Sequence, residues 1–286
     1  MDSQQSSYEK LIAIETIPPL PATAANLLAM AADEDVEIES LAGLIDTDPP
    51  LSACMLSVAN SAFYSPRRPI LTVRDAIIGV LGLNMVRNMA LGLALAGGFS
   101  SARCPRFDLT AYWVTALGTA DLASGLVRAS STPGLPSPEV AYQAGLLHNL
   151  GELLLVHLWP AEMDKALAAA AEQADMSLIE HQREIVGMDQ WAAGSFLAKH
   201  WQLPREVSAC MEGFAECDDL AEPTDVCALV RVARRWLDSV AVGNVDNLRV
   251  SGVDDAYCEY RSSVFVDRYD DLIQLARSMR TPQSAH

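Results

Sequence analysis

Apolar residues recur every three or four positions through most of the chain, and most such runs begin at a residue able to cap a helix. This pattern constrains the fold most strongly, because a period of 3.6 belongs to helices and a period of 2 to strands. "LPATAANLLAMAADEDV" puts Leu27, Leu28 and Ala31 on one face, and "EIESLAGLIDTD" does the same with Ile38, Leu41, Leu44 and Ile45. Asp48 before Pro49 reads as an N-cap with proline in the first turn. Thr72 caps "VRDAIIGVLG", with Asp75 placed to complement the helix dipole. Asp108, Ser137 and Asp189 open further helices, and Ser177 with Glu180 spells a capping box. "TDVCALVRVARRWLDSVA" reads as the last core helix, and only short pieces near 245–253 and 263–266 carry a strand-like pattern. The expected fold class is all-α.

The length of 286 residues suggests about two domains or subdomains, and a 50% hydrophobic content is enough for a sizeable core. A formal net charge of −17 repels nucleic acid and anionic lipid, so neither is an expected partner. No apolar run reaches the roughly 18 residues of a membrane span, and the N-terminus "MDSQQSSYEK" lacks the pattern of a signal peptide. The six cysteines form no C-x-x-C and no zinc spacing, which suits reduced thiols and a cytoplasmic location. No cofactor is expected.

One stretch breaks the apolar pattern. In "AGLLHNLGELLLV" a His148-Asn149 pair sits inside a hydrophobic run. Such a pair can belong to a metal site or a catalytic base, can be the remnant of either, or can be a hydrogen-bonded core pair. For the last reading the candidate partners of His148 are Asn149, Asp189 and Gln190. His157 reads as a helix-end residue, and His181 and His200 read as surface residues. Cys210 and Cys217 read as core thiols. Gly79 and Gly82 in "GVLGLNMVRN" do not form a phosphate loop and are expected to permit close helix packing. Arg231, Arg234 and Arg235 read as solvated charges or internal ion pairs, and Asp33, Glu34, Asp35 and Glu37 as a solvated acidic turn.

Several stretches together resemble the HDOD family, a noncatalytic branch of the HD phosphohydrolase superfamily. They are "IPPLPATAANLLAMAADEDVEIESLAGLIDTDPPLSACMLSVANSAFY", "RRPILTVRDAIIGVLGLNMVRN", "AGLLHNLGELLL" and "QREIVGMDQWAAGSFLAKHWQLP". The resemblance runs from about Leu11 to about Asp238. It implies a two-part helical fold, with an N-terminal helical subdomain over 8–100, an HD-like bundle over 101–240 and a C-terminal extension over 241–286. It also implies a regulatory role in bacterial signalling.

The resemblance also locates what an HD hydrolase would need. Thr115 falls at the first histidine position, Asn149 replaces the aspartate of the His-Asp doublet, and Gln190 follows Asp189 where a histidine is expected. Phe214 and Ala215 fall near a further histidine pair, and Arg234 near a final aspartate. Only His148 survives, and a catalytic zinc already takes three protein ligands. The expectation is therefore no catalytic residue, no metal and a remnant pocket of Thr115, His148, Asn149, Asp189 and Gln190. The function expected is noncatalytic regulation through an unidentified signalling protein. The alternatives are a residual metal-dependent phosphohydrolase or cyclic-nucleotide phosphodiesterase, and a nucleotide-type sensor using the vacated pocket. As it stands the chain carries no receiver, GGDEF-like or EAL-like domain, so its output is expected to pass through another molecule. Phe63, Tyr64, Arg67 and Arg68 form the expected partner surface, because aromatic and arginine side chains dominate binding hot spots.

Overall fold

The structure is a computed structural model, and it describes residues 17–31, 36–173, 175–214, 225–241, 250 and 252–279. The expectations for Asp33, Glu34, Asp35, Ala215, Cys217 and His286 lie outside the described residues, as does most of the 245–253 piece.

The described residues are helical, with no strand among them. Helices α1 (Ala22–Ala31), α2 (Ile38–Asp46) and α3 (Pro49–Ala59) open the fold. A short α4 (Val73–Ala76) runs into a π-helical turn over Ile77–Leu81, and α5 (Leu83–Ala96) completes the first group. The second group comprises α6 (Leu109–Ala129), α7 (Pro138–Leu147), α8 (Leu150–Leu158), α9 (Pro160–Glu172), α10 (Leu178–His181), α11 (Gln190–His200), α12 (Arg205–Gly213) and α13 (Val226–Ala241). Two more helices follow, α14 (Asp255–Asp267) and α15 (Tyr269–Ser278).

The caps act as the sequence implies. Asp48 accepts from Leu51 N at 3.1 Å, Asp108 from Thr110 N and Ala111 N, and Ser137 from Val140 N. Ser177 and Glu180 close a reciprocal capping box. Each cap satisfies amide groups that a helix start otherwise leaves unpaired.

Helix α6 is the spine. It packs against α7, α13 and α15, while α11 lies along α8 and α12. A continuous core runs from Ala24 in α1 to Met279 after α15, with Trp236 fully buried. The two helical groups meet through α5 and α7, where a Cβ on Gly92 would come within 2.8 Å of the Leu146 side chain. Phe99 and Trp201 also stack across the junction at 5.4 Å, and Trp201 Nε1 donates to Pro18 O.

Three expectations need correction. Residues 263–266 belong to α14 rather than a strand, because Val264 and Phe265 sit in a helix capped by Asp254. Helix α13 is not the last core helix: Phe265, Leu272 and Leu275 are buried, and Trp236 Nε1 donates to Ser262 Oγ at 3.0 Å. Gly79 and Gly82 are not packing contacts, since a Cβ at either would meet nothing within 4 Å. Gly82 serves the backbone instead, with φ +80° at the join between the π turn and α5, a conformation open to glycine.

Two glycines do permit close packing. A Cβ on Gly145 would lie 2.7 Å from Ala120 Cα, and one on Gly151 would lie 1.9 Å from Gln190 O and 2.4 Å from Gly194 N. Gly151→Ala is therefore expected to push α8 off α11 and to lower stability by about 3 kcal/mol. Gly79→Ala, in open space, should raise stability by about 0.5 kcal/mol through the lost freedom of the unfolded chain. Urea unfolding of both variants checks this, and equal effects of the two would contradict it.

Candidate functional site

The break between α7 and α8 is made by His148 and Asn149, which cap the two helices and are both 1% exposed. His148 Nδ1 lies 2.6 Å from Gly145 O. That contact assigns the proton to Nδ1, which donates to the carbonyl, and leaves Nε2 with a lone pair. Nε2 is buried and has no hydrogen-bond partner. The partner of His148 is thus Gly145 O, in place of the expected Asn149, Asp189 or Gln190. Those three are engaged elsewhere: Asn149 Nδ2 makes a long 3.5 Å contact to Tyr112 O, and its Oδ1 is unpaired. Asp189 caps α11 through Trp191 N and Ala192 N and accepts from Arg183 Nε at 2.6 Å. Gln190 and Gln182 exchange two hydrogen bonds, at 2.9 and 3.1 Å.

Aromatic rings close over His148. Phe214 stacks on it with centroids 5.3 Å apart, Trp191 lies at 6.2 Å, and Trp191 stacks on Phe214 at 4.3 Å. Phe214 was expected near the site and arrives there. Trp191 was not foreseen, because nothing about its position in "DQWAA" distinguishes it from an ordinary helix residue.

Charge at the site is set by Arg234. Its guanidinium pairs with Asp238 at 3.0 Å and acts on both His148 and Glu152. Burial, with Arg234 adding to it, lowers the His148 pKa to about 3, so the ring is neutral. Burial raises the Glu152 carboxyl to about 7, with Arg234 opposing. The Arg234–Asp238 contact is one of the expected ion pairs, and Arg235 is exposed as expected. His181 needs correction: it is 2% exposed beside the buried Gln182, and its Nε2 has no hydrogen-bond partner. His200 is exposed as expected.

Thr115 lies apart from the closed ring stack. It lines a cleft of about 470 Å³ with Asp108, Leu237, Asp238, Tyr269 and Arg277. The Arg234–Asp238 ion pair is what connects this cleft to the His148 side.

These residues do not fit a metal centre. The hydrogen bond from His148 Nδ1 to a carbonyl is the arrangement that orients metal-binding imidazoles. Its neighbours supply an amide, stacked rings and a cation, and neutral amides are poor ligands for transition metals. Among the described residues no three His, Cys, Asp or Glu side chains converge to hold an ion.

The partner-surface residues divide. Phe63 sits under Arg268, whose guanidinium carbon is 4.1 Å from the ring centroid and whose Nη2 donates to Phe63 O. Tyr64 packs edge-on to Phe63 at 5.1 Å, directs its hydroxyl to Met89 Sδ, and is pushed up in pKa by burial. Arg67 and Arg68 are exposed. Asn60 holds their loop by exchanging 2.8 Å hydrogen bonds with Ile70 N and O.

Glu152 and His148 give opposite pH dependences. A carboxyl that titrates near 4.5 unfolded and about 7 folded loses stability as pH rises between those values. A histidine lowered from 6.5 to about 3 loses stability as pH falls through that window. Glu152→Gln removes the first effect alone. Its stability gain over the parent protein should grow from pH 4.5 to 7 and then level off. Paired urea titrations across that range read the difference, and a gain that shrinks with rising pH contradicts the assignment.

The HDOD domain matches residues 17–214. An uncharacterised protein of Treponema pallidum (strain Nichols) is 28% identical over 196 residues, which is 68% of this chain and 36% of that protein. The chain thus spans little more than a third of that relative. A crystal structure of an HDOD domain protein of unknown function from Geobacter sulfurreducens superposes with TM-score 0.75 at 20% identity, covering 97% of this chain and 98% of the other. A candidate signal transduction protein from Marinobacter aquaeolei VT8 gives 0.77 at 22%, covering 97% and 65%. A candidate phosphohydrolase from Shewanella amazonensis SB2B gives 0.71 at 22%, covering 97% and 98%. The solved structures share the helical fold, and with its domain match over more than half its length the chain belongs to the HDOD family.

Proposed function

We propose that this protein is a noncatalytic HDOD regulator in signal transduction, acting through contact with another protein. The observation that carries this reading is the environment of His148. Where an HD hydrolase gathers imidazoles and carboxylates around a cation, this chain stacks Phe214 and Trp191 on the histidine and brings up Arg234. A guanidinium in that position repels a divalent ion, and a buried neutral imidazole with a closed approach is a poor general base.

The contact surface in this reading is the loop after α3. Arg67 and Arg68 are exposed on it, the same loop carries Leu71 at 77% exposure, and the π turn that follows carries Ile78 at 56%. A cationic pair next to apolar side chains, on a chain of net charge −17, suits a partner presenting acidic and apolar groups. Phe63 and Tyr64 support that loop from below. No helix among the described residues is long and apolar enough to cross a membrane.

A second reading, a small-ligand sensor, is favoured by the Thr115 cleft, whose wall carries Tyr269 and Arg277. Thermal-shift measurements with a nucleotide panel test it, since a ligand that binds the native state raises the melting temperature.

Arg67→Glu with Arg68→Glu leaves the core untouched. Helix content and melting should stay as in the parent protein, while partner capture from the native cell extract is lost. Capture that survives the double substitution removes this surface from the account. In parallel, phosphodiester hydrolysis with added Mn²⁺ should not exceed that of His148→Ala, and turnover abolished by that substitution would overturn the noncatalytic reading.

A further inference from the structure

We infer that Cys210 and Cys227 form a reversible disulfide between α12 and α13 on exposure to a peroxide. Cys210 is fully buried in α12, and Cys227 is half-buried in the first turn of α13. The Cys227 thiol donates to Cys210 O at 3.5 Å, so its sulfur lies against the Cys210 residue itself. The contact depends on a glycine: a Cβ on Gly213 would come within 2.8 Å of Cys227 Sγ. Any larger residue there would push the Cys227 sulfur away.

The other cysteines show why this pair differs. Cys54, Cys104 and Cys258 are buried; Cys54 contacts the Ser278 carbonyl, Cys104 the Asp164 carboxylate and Cys258 the Val250 backbone, and none of these contacts is to a second cysteine. Enclosed thiols of that kind are inert. Cys227 combines partial exposure with direct contact to a second cysteine, through the Cys210 carbonyl. Its interaction with Cys210 tips the Cys227 pKa down against the effect of burial, with Arg231 favouring the thiolate and Asp225 opposing it, while the same interaction and burial both push Cys210 up. The division of roles follows from access. Cys227 is the attacking sulfur and Cys210 the resolving one.

The chemistry balances in two steps. The Cys227 thiolate attacks one peroxide oxygen, the O–O bond breaks, and Cys227 becomes a sulfenic acid while the leaving oxygen departs as water after protonation. The Cys210 thiol then displaces the sulfenic hydroxyl, the S–S bond forms and a second water leaves. Two thiols lose two electrons and two protons, and one hydrogen peroxide becomes two waters. The S–S bond requires the two sulfurs to close to about 2.05 Å, which the half-buried Cys227 side chain reaches by rotating. Phe214 directly follows Gly213, so the link would also fix the helix end that lays a ring on His148.

The inference is independent of the regulatory reading and is tested without any partner. Trypsin releases residues 206–231 as one peptide containing Cys210, Cys217 and Cys227. The folded chain is treated with hydrogen peroxide, its remaining thiols are blocked, and the peptide is weighed, in the parent protein and in Cys217→Ser. The expected result in both is a link that costs the peptide two hydrogens, with Cys210 and Cys227 protected from the blocking reagent and freed by dithiothreitol, while Cys217 of the parent takes up the reagent. Cys227→Ala should retain Cys210 as a blockable thiol. Protection seen in the parent but absent in Cys217→Ser assigns the link to Cys217 and overturns the proposal. So does gain of oxygen on Cys227 without a link, or a peptide that does not change.

Discussion

Two backbone-to-backbone helix approaches flank His148 and Asn149, and the geometry of the site depends on them. Gly145 lets α7 lie directly on α6 at Ala120, and Gly151 lets α8 lie on α11 at Gln190 and Gly194. With both contacts in place, the two-residue break between α7 and α8 is driven into the interior rather than to the surface. The histidine and asparagine there must then find partners among backbone groups. Gly145 O satisfies one imidazole nitrogen, but Nε2 and Asn149 Oδ1 remain unpaired. Unsatisfied buried polar atoms cost about 1–3 kcal/mol each, so the packing around them must offset that cost.

That offset comes from rings and from a displaced charge. Phe214 and Trp191 cover His148 and remove water from it, which holds the ring neutral. Arg234 pairs with Asp238 at the edge of the Thr115 cleft, where it is still partly solvated. Around His148 a guanidinium, a carboxylate and stacked aromatic faces occupy the region. The same arrangement leaves Glu152 poorly solvated, which is why its carboxyl titrates near neutrality.

Local signals in the sequence were legible and distant ones were not. The caps at Asp48, Asp108, Ser137, Ser177 and Asp189 follow from residue type and the next three positions, and all appear. His148-Asn149 stood out because polarity interrupts an apolar run. The resemblance further placed Phe214 and Arg234 near the same point. Trp191 over Phe214 and the Gln182–Gln190 exchange depend on how separate helix starts converge, which no local pattern records. His181 was misplaced because its neighbours Glu180, Gln182 and Arg183 look like a solvated face, although His181 and Gln182 are both buried. The closing helices α14 and α15 were underrated because their apolar faces are narrow and lie among many charges, yet Phe265, Leu272 and Leu275 complete the core beside α6.

The central claim is that His148 is a sealed neutral imidazole rather than a ligand awaiting an ion. Nitrogen-15 spectra of the histidine side chains, recorded as Mn²⁺ is added to the full chain at neutral pH, test it most directly. The account predicts that the His148 ring keeps its proton on Nδ1 and that its signals are untouched by the paramagnetic ion. Selective broadening of His148 Nε2 at stoichiometric Mn²⁺ would contradict it.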